Sequence, residues 1–345
     1  MKVISGFWTY PFLLTAILLI GVGKLPAFAD DTVQEGNVKA VQLGRVTVLG
    51  PIKCPTGATQ GANCTSVSVT CPNIPALTAV LSEAVPAGTA RGTIILNNGG
   101  GGTTFLNSGF ADTYFNDGFR VVQLAWKTDW EDTGGVGLKR ASCRGATLYR
   151  YLFYTVHHGD RTTGFCAQGS SGGGAAITFA LAQYGLSNYF DYVVIAAGPG
   201  ISRMDYACDS SLYTGPPLDL CPLIPNAPYA FPNGTKVNTW ENTTTCAVTP
   251  ALQSDIDKWM ADSIVTTGAN FSYPQTAMSW YFCATPPVNN STGGGKFLID
   301  QVHPKSTPDV NCYSGVCQGE SVWQDPTAFS DTHNAMLAQC VPNHQ

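Results

Sequence analysis

Apolar residues fall along this chain in two recurring patterns. Short, nearly unbroken apolar runs bounded by Gly, Pro or Asp alternate with longer stretches in which apolar positions return at helical spacing. "GTIILNN" (92–98) is a run that leads into four consecutive glycines, and "FRVVQLAW" (119–126) is the next, entered through the turn signal Asp117-Gly118. A helix is predicted over about 141–156, a strand over 163–168, a helix over about 173–184 and a strand over 192–198. Residues 46–85, upstream, read as strands broken by Gly, Pro and Cys. Strands and helices alternating at these lengths predict an α/β fold, a mostly parallel sheet flanked by helices on both faces.

The rhythm stops at about 203–275, a stretch rich in Pro, Asn, Thr and Tyr with three cysteines. It is expected to be a disulfide-rich insertion or lid over one end of the sheet. Strands resume at 278–284, a short helix is predicted at 296–302, and the last strand at 309–315. Asp325 as N-cap and Pro326 in the first turn open a closing helix. At the other end, Lys2 precedes an apolar run from Phe12 to Val22 and then Ala27-Phe28-Ala29. That order predicts a signal peptide over 1–29, leaving one domain over 30–345. The run is shorter than the roughly 20 residues of a spanning helix, so the expectation is a secreted or periplasmic protein without a membrane span after cleavage.

Composition agrees with export. Hydrophobic residues make up 44% of the chain, enough for a sizeable core, and charged residues only 12%, with a formal net charge of −5. No basic stripe is present, which disfavours nucleic acid as a partner. The 12 cysteines all follow the predicted cleavage site, and an even count in an exported chain points to disulfides. Cys312 and Cys317 are spaced for a small loop closure, Cys54, Cys64 and Cys71 could staple the N-terminal segment, and Cys166, inside a predicted central strand, could be a buried thiol. No C-x-x-C pair occurs, and neither a metal nor an organic cofactor is expected. Glycosylation sequons stand at Asn63, Asn233, Asn242, Asn270, Asn289 and Asn290.

The candidate chemistry lies in "FCAQGSSGGGAAITFALAQYG", where Gly169, Ser171 and Gly173 have G-x-S-x-G spacing between a predicted strand and a predicted helix. A serine at the tip of such a turn has strained backbone angles, and its neighbours must be tiny for the helix to pass. Its hydroxyl then stands above the sheet, beside a helix N-terminus. Ser170 lacks the glycine spacing, and "NNGGGG" lacks the lysine of a phosphate-binding loop.

On these residues, together with the glycine loop "LNNGGGGTTF" (96–105), the chain resembles the α/β-hydrolase superfamily over about 75–200. The resemblance implies a serine hydrolase acting on a carboxylic ester. Ser171 would be the nucleophile, and the backbone N–H groups of Gly172 and of Gly100 or Gly101 would form the oxyanion hole. It also implies an acid and then a histidine after the nucleophile. His333 and His303 are the histidine candidates, and Asp205 is the acid candidate, with Asp300 and Glu320 as outside alternatives. The sequence departs from the superfamily pattern where Asn289-Asn290 and Glu320 occupy the expected acid and histidine positions. Three readings follow: a secreted serine esterase or lipase-like enzyme with His333 or His303 as base, a catalytically inactive binding protein of the same fold, and a disulfide-rich adhesion protein of other ancestry.

Overall fold

The computed structural model describes residues 42–106, 109–229, 234–286, 288, 292–319 and 321–343. The predicted signal peptide, Asn233, Asn289, Asn290, Glu320 and His344 lie outside the described residues. Strands β1 (Arg45–Ile52), β2 (Asn63–Cys71) and β3 (Ile74–Ala84) form an antiparallel meander. After β4 (Gly92–Asn97) come α1 (Phe110–Asn116), β5 (Arg120–Trp126), α2 (Leu138–Ala141), α3 (Cys143–Tyr151), β6 (Gly164–Ser170), α4 (Gly172–Tyr184) and β7 (Tyr192–Ala196). The chain continues through α5 (Met204–Cys208), α6 (Gly234–Glu241), α7 (Gln253–Asp262), β8 (Ser272–Tyr273) and β9 (Ala277–Cys283). It closes with α8 (Thr292–Ile299), β10 (His303–Pro304), β11 (Asp309–Tyr313) and α9 (Pro326–Gln339).

Nine strands make one sheet in the order β1-β2-β3-β5-β4-β6-β7-β9-β11. β3 pairs antiparallel with β5, and from β5 onward every pairing is parallel. The central strands carry unbroken apolar runs because both their faces are covered. Alternate residues serve the two faces. Ile95, Val122, Phe165 and Ile195 pack toward α3 and α4, whereas Ile94, Val121, Tyr192 and Val194 pack toward α1 and α9. The predicted helix over 141–156 is α3 followed by a wider π-helical turn at Leu152–Val156. Asp325 caps α9 as expected, its Oδ1 accepting from the Thr327 and Ala328 N–H groups.

Six disulfides join Cys54–Cys64, Cys71–Cys143, Cys166–Cys340, Cys208–Cys246, Cys221–Cys312 and Cys283–Cys317. Two expectations are corrected. Cys166 is not a free thiol: it faces the α9 side of the sheet, where Cys340 at the end of α9 meets it. Cys312 and Cys317 do not pair, because the end of β11 sends one side chain to Cys221 of the insertion and the following loop sends the other to β9. Sequons at Asn63, Asn242 and Asn270 are exposed.

The stretch over 203–275 holds α5, α6, α7 and β8. A carboxyl pair, buried Glu241 and half-buried Asp262, ties it to the body of the fold. Glu241 of α6 shares a hydrogen bond with Asp262 of α7, and its Oε1 accepts from the Leu138 N–H of α2 at 2.9 Å. Burial, with Asp262 as a second cause, pushes the Glu241 carboxyl up to about 9. The folded pKa lies above the unfolded one, so folding takes up a proton and the pair stabilises the fold most at low pH.

Stability should therefore fall as pH rises from about 5 to 9, with a slope of at most ~1.4 kcal/mol per pH unit. Urea melts of wild type and Glu241→Gln at several pH values test this, and the variant should lose most of that slope. Replacing Cys166 and Cys340 together by Ala should lower stability by about 5 kcal/mol in the same melts, because that bridge closes the longest loop, with a separation of 174 residues.

Candidate active site

β6 ends at Ser170, and α4 begins at Gly172. Ser171 makes the turn between them alone, with φ 47° and ψ −114°. That backbone region is sparsely populated for any residue with a side chain and costs about 1–3 kcal/mol. It persists because the Ser171 N–H donates to the Ala196 carbonyl of β7 at 2.8 Å and the Ser171 carbonyl accepts from Ala175 at 2.9 Å. Its neighbours have no room for a side chain. A Cβ on Gly172 would stand 2.1 Å from the Gly100 carbonyl oxygen, and one on Gly173 would stand 2.6 Å from those of Asn97 and Asn98. The expected elbow is present, at the carboxyl end of the parallel strands, where open α/β sheets bind ligands.

The glycine loop folds over this elbow. Its turn is closed by the Gly102 N–H donating to the Gly99 carbonyl at 3.2 Å, and Gly99 faces the Ser171 Cβ. Gly101 is turned away: its carbonyl accepts from Trp130, and a Cβ there would collide with Asp129. Gly100, not Gly101, is thus the loop residue that abuts Gly172.

The expected partners of Ser171 are elsewhere. The His333 Nε2 meets Asp117 Oδ2 at 2.6 Å. Asp117 precedes β5, so His333 is held at the amino end of the strands, opposite Ser171. α9 descends along the sheet from Asp325 to Cys340, which carries its middle away from the elbow. His303 sits in β10, where its N–H donates to Phe271 ahead of β9, at the same far edge. His157 bonds to Thr93 at the start of β4, and His158 follows it. Every histidine among the described residues therefore lies at the amino end of the sheet.

Asp205 does lie beyond the carboxyl end of β7, but both of its oxygens bind Arg203. It is 2% exposed and committed to that ion pair. Asp300 is exposed and paired with Lys296.

A carboxylate that the sequence reading did not single out stands at the elbow. Glu131, in the loop after β5, is 5% exposed, and its Oε1 is 2.8 Å from where a Cβ on Gly172 would be. The Glu131 N–H donates to Asp129 Oδ1 at 2.8 Å, and Lys236 of α6 lies 3.8 Å from both carboxylates. Among the described residues no group of three or more His, Cys, Asp or Glu side chains is spaced to hold a metal ion. No helix among them is long and apolar enough to cross a membrane.

Solved structures with the same architecture exist. An acetyl xylan esterase 1 from Thermoanaerobacterium sp. JW/SL YS485 superimposes with a TM-score of 0.53 at 10% identity, over 84% of this chain and 87% of that one. An acetyl xylan esterase from Paenibacillus sp. R4 does so with a TM-score of 0.51 at 11% identity, over 85% and 89%. No family model matches the sequence, and no curated protein matches it. Identities this low speak for the fold alone. With the strand order and the elbow, they make the chain an α/β-hydrolase-fold protein.

The strain at Ser171 can be measured. Ser171→Gly should be more stable than Ser171→Ala by about 1 kcal/mol in urea melts, since glycine accepts φ 47° without a side-chain penalty. Equal stabilities would mean that the turn holds no strain.

Proposed function

We propose that the protein is a secreted ester hydrolase whose nucleophile is Ser171 and whose proton acceptor is Glu131 rather than a histidine. The observation that carries this reading is the strained backbone of Ser171, retained at a cost to stability in a setting that presents its hydroxyl above the sheet. Ser171 Oγ bonds to the ester carbonyl carbon as its proton passes to Glu131. Collapse of the tetrahedral species expels the alcohol, which takes up that proton, and water then cleaves the acyl-serine. The N–H groups of Gly172 and Gly100 hold the oxyanion, and Lys236 offsets the negative charge of the neighbouring carboxylates. The signal-peptide pattern and the six disulfides support export.

A second reading has its own observation. The described histidines are all at the far edge of the sheet, as expected of a binding protein that keeps the elbow for packing and has lost turnover.

A fluorophosphonate probe separates the two. Labelling of the oxidised protein is expected, absent in Ser171→Ala and reduced at least about 100-fold in rate in Glu131→Gln, in line with the contribution of a general base. Well-folded wild type that never labels establishes the second reading.

A further inference from the structure

Residues of the insertion and of α8 line an open cleft of about 400 Å³, among them Tyr206, Tyr213, Thr214, Pro216, Phe297 and Gln301. That volume is within the range of about 300–1,000 Å³ typical of ligand sites. We propose that this cleft binds the ring of a neutral saccharide.

Three features of the cleft point to that chemistry. First, its aromatic walls are fixed before any ligand arrives. The Arg203 guanidinium lies 4.2 Å over the Tyr206 ring, and both oxygens of Asp205 hold that guanidinium. The Tyr229 hydroxyl accepts from the Arg203 N–H at 2.8 Å, and the Tyr213 hydroxyl donates to the Pro216 carbonyl at 2.7 Å. Tyr206 and Phe297 meet edge to face at 5.6 Å, and Tyr206 and Tyr213 at 5.3 Å. Rings held in this way lose little freedom when something stacks on them.

Second, the charges balance. Asp300 of the lining is paired with Lys296, and Arg203 behind Tyr206 is paired with Asp205. A cationic ligand would meet the guanidinium through the ring, and an anionic one would find no uncompensated positive charge. Third, polar and aromatic groups are mixed. A pyranose has one face of C–H bonds that stacks on an aromatic ring, and a rim of hydroxyls that suits a threonine hydroxyl, a glutamine amide and a carboxylate. An acyl chain would make no use of those polar groups.

Packing of α8 links one wall of the cleft to the segment beside the elbow. Gly294 and Gly295 of α8 pack on Pro199, Gly200 and the Gly198 carbonyl, and a Cβ on Gly198 would stand 3.7 Å from the Ser171 Cα. Phe297 is two residues further along the same helix. If the ester-hydrolase reading holds, the saccharide is the part of the substrate that carries the acyl group. Saccharide binding itself does not depend on that reading.

The test uses the full oxidised chain carrying Ser171→Ala, so that binding is measured without turnover. Calorimetric titration with neutral hexasaccharides of gluco, xylo, manno and galacto configuration should find binding of at least one. Affinity should drop at least tenfold in Tyr213→Ala and in Gln301→Ala, and remain in Tyr154→Ala, a half-exposed tyrosine at the far edge. Gln301→Ala removes only a lining amide, so it answers the question even if Tyr213→Ala fails to fold. No binding across the four configurations, or binding that neither cleft variant weakens, would overturn the proposal. Binding without fluorophosphonate labelling of wild type would leave the cleft standing and remove only the hydrolase reading.

Discussion

The structure turns on one backbone crossing. Where β6 hands over to α4, the chain must reverse beneath the 97–102 loop and beside β7, and the gaps are too small for any Cβ at Gly172 or Gly173. Ser171 is the one residue in that crossing with a side chain, and it has room because its backbone is forced to φ 47°. The hydrogen bond from its N–H to Ala196 ties this geometry to the neighbouring strand, so relaxing the turn would disturb the sheet as well. The sterics that make the site strained also make it rigid.

Around that crossing the fold resists opening by covalent means more than by charge. Only 12% of the residues are charged, and the ion pairs among the described residues are few. Disulfides take over at places where elements would otherwise end freely. Cys166–Cys340 pins the end of α9 to a central strand, and Cys221–Cys312 pins the insertion to the edge strand β11. The Glu241–Asp262 pair adds a polar clasp between the insertion and α2. The insertion is thereby part of the body of the protein, and this lets its tyrosines form a fixed wall.

The polar groups are divided between the two ends of the sheet. The histidines among the described residues are used at the amino end of the sheet, where His333 bonds to Asp117 and His157 to Thr93. Asp205, positioned on the correct side, is committed to Arg203 and through it to the Tyr206 ring. What remains beside Gly172 is a carboxylate and a lysine. A site of this composition needs different proton chemistry from a histidine-centred one, or none.

Local pattern determined much of this protein. Apolar runs such as 92–98 and 119–126, bounded by turn signals and rich in β-branched residues, form central strands whose two faces are both buried. Gly-x-Ser-x-Gly between a strand and a helix could form only a tight elbow, since its steric demands lie within a few residues. The α9 cap at Asp325 was legible for the same reason. Only tertiary structure decided which side chains meet across the sheet. The direction in which α9 descends carries His333 to the wrong end, and the partner of Cys166 lies 174 residues away. Glu131 reaches the elbow because the loop after β5 folds back under the glycine loop. These are contacts between segments distant in sequence, and no periodicity or spacing along the chain encodes them.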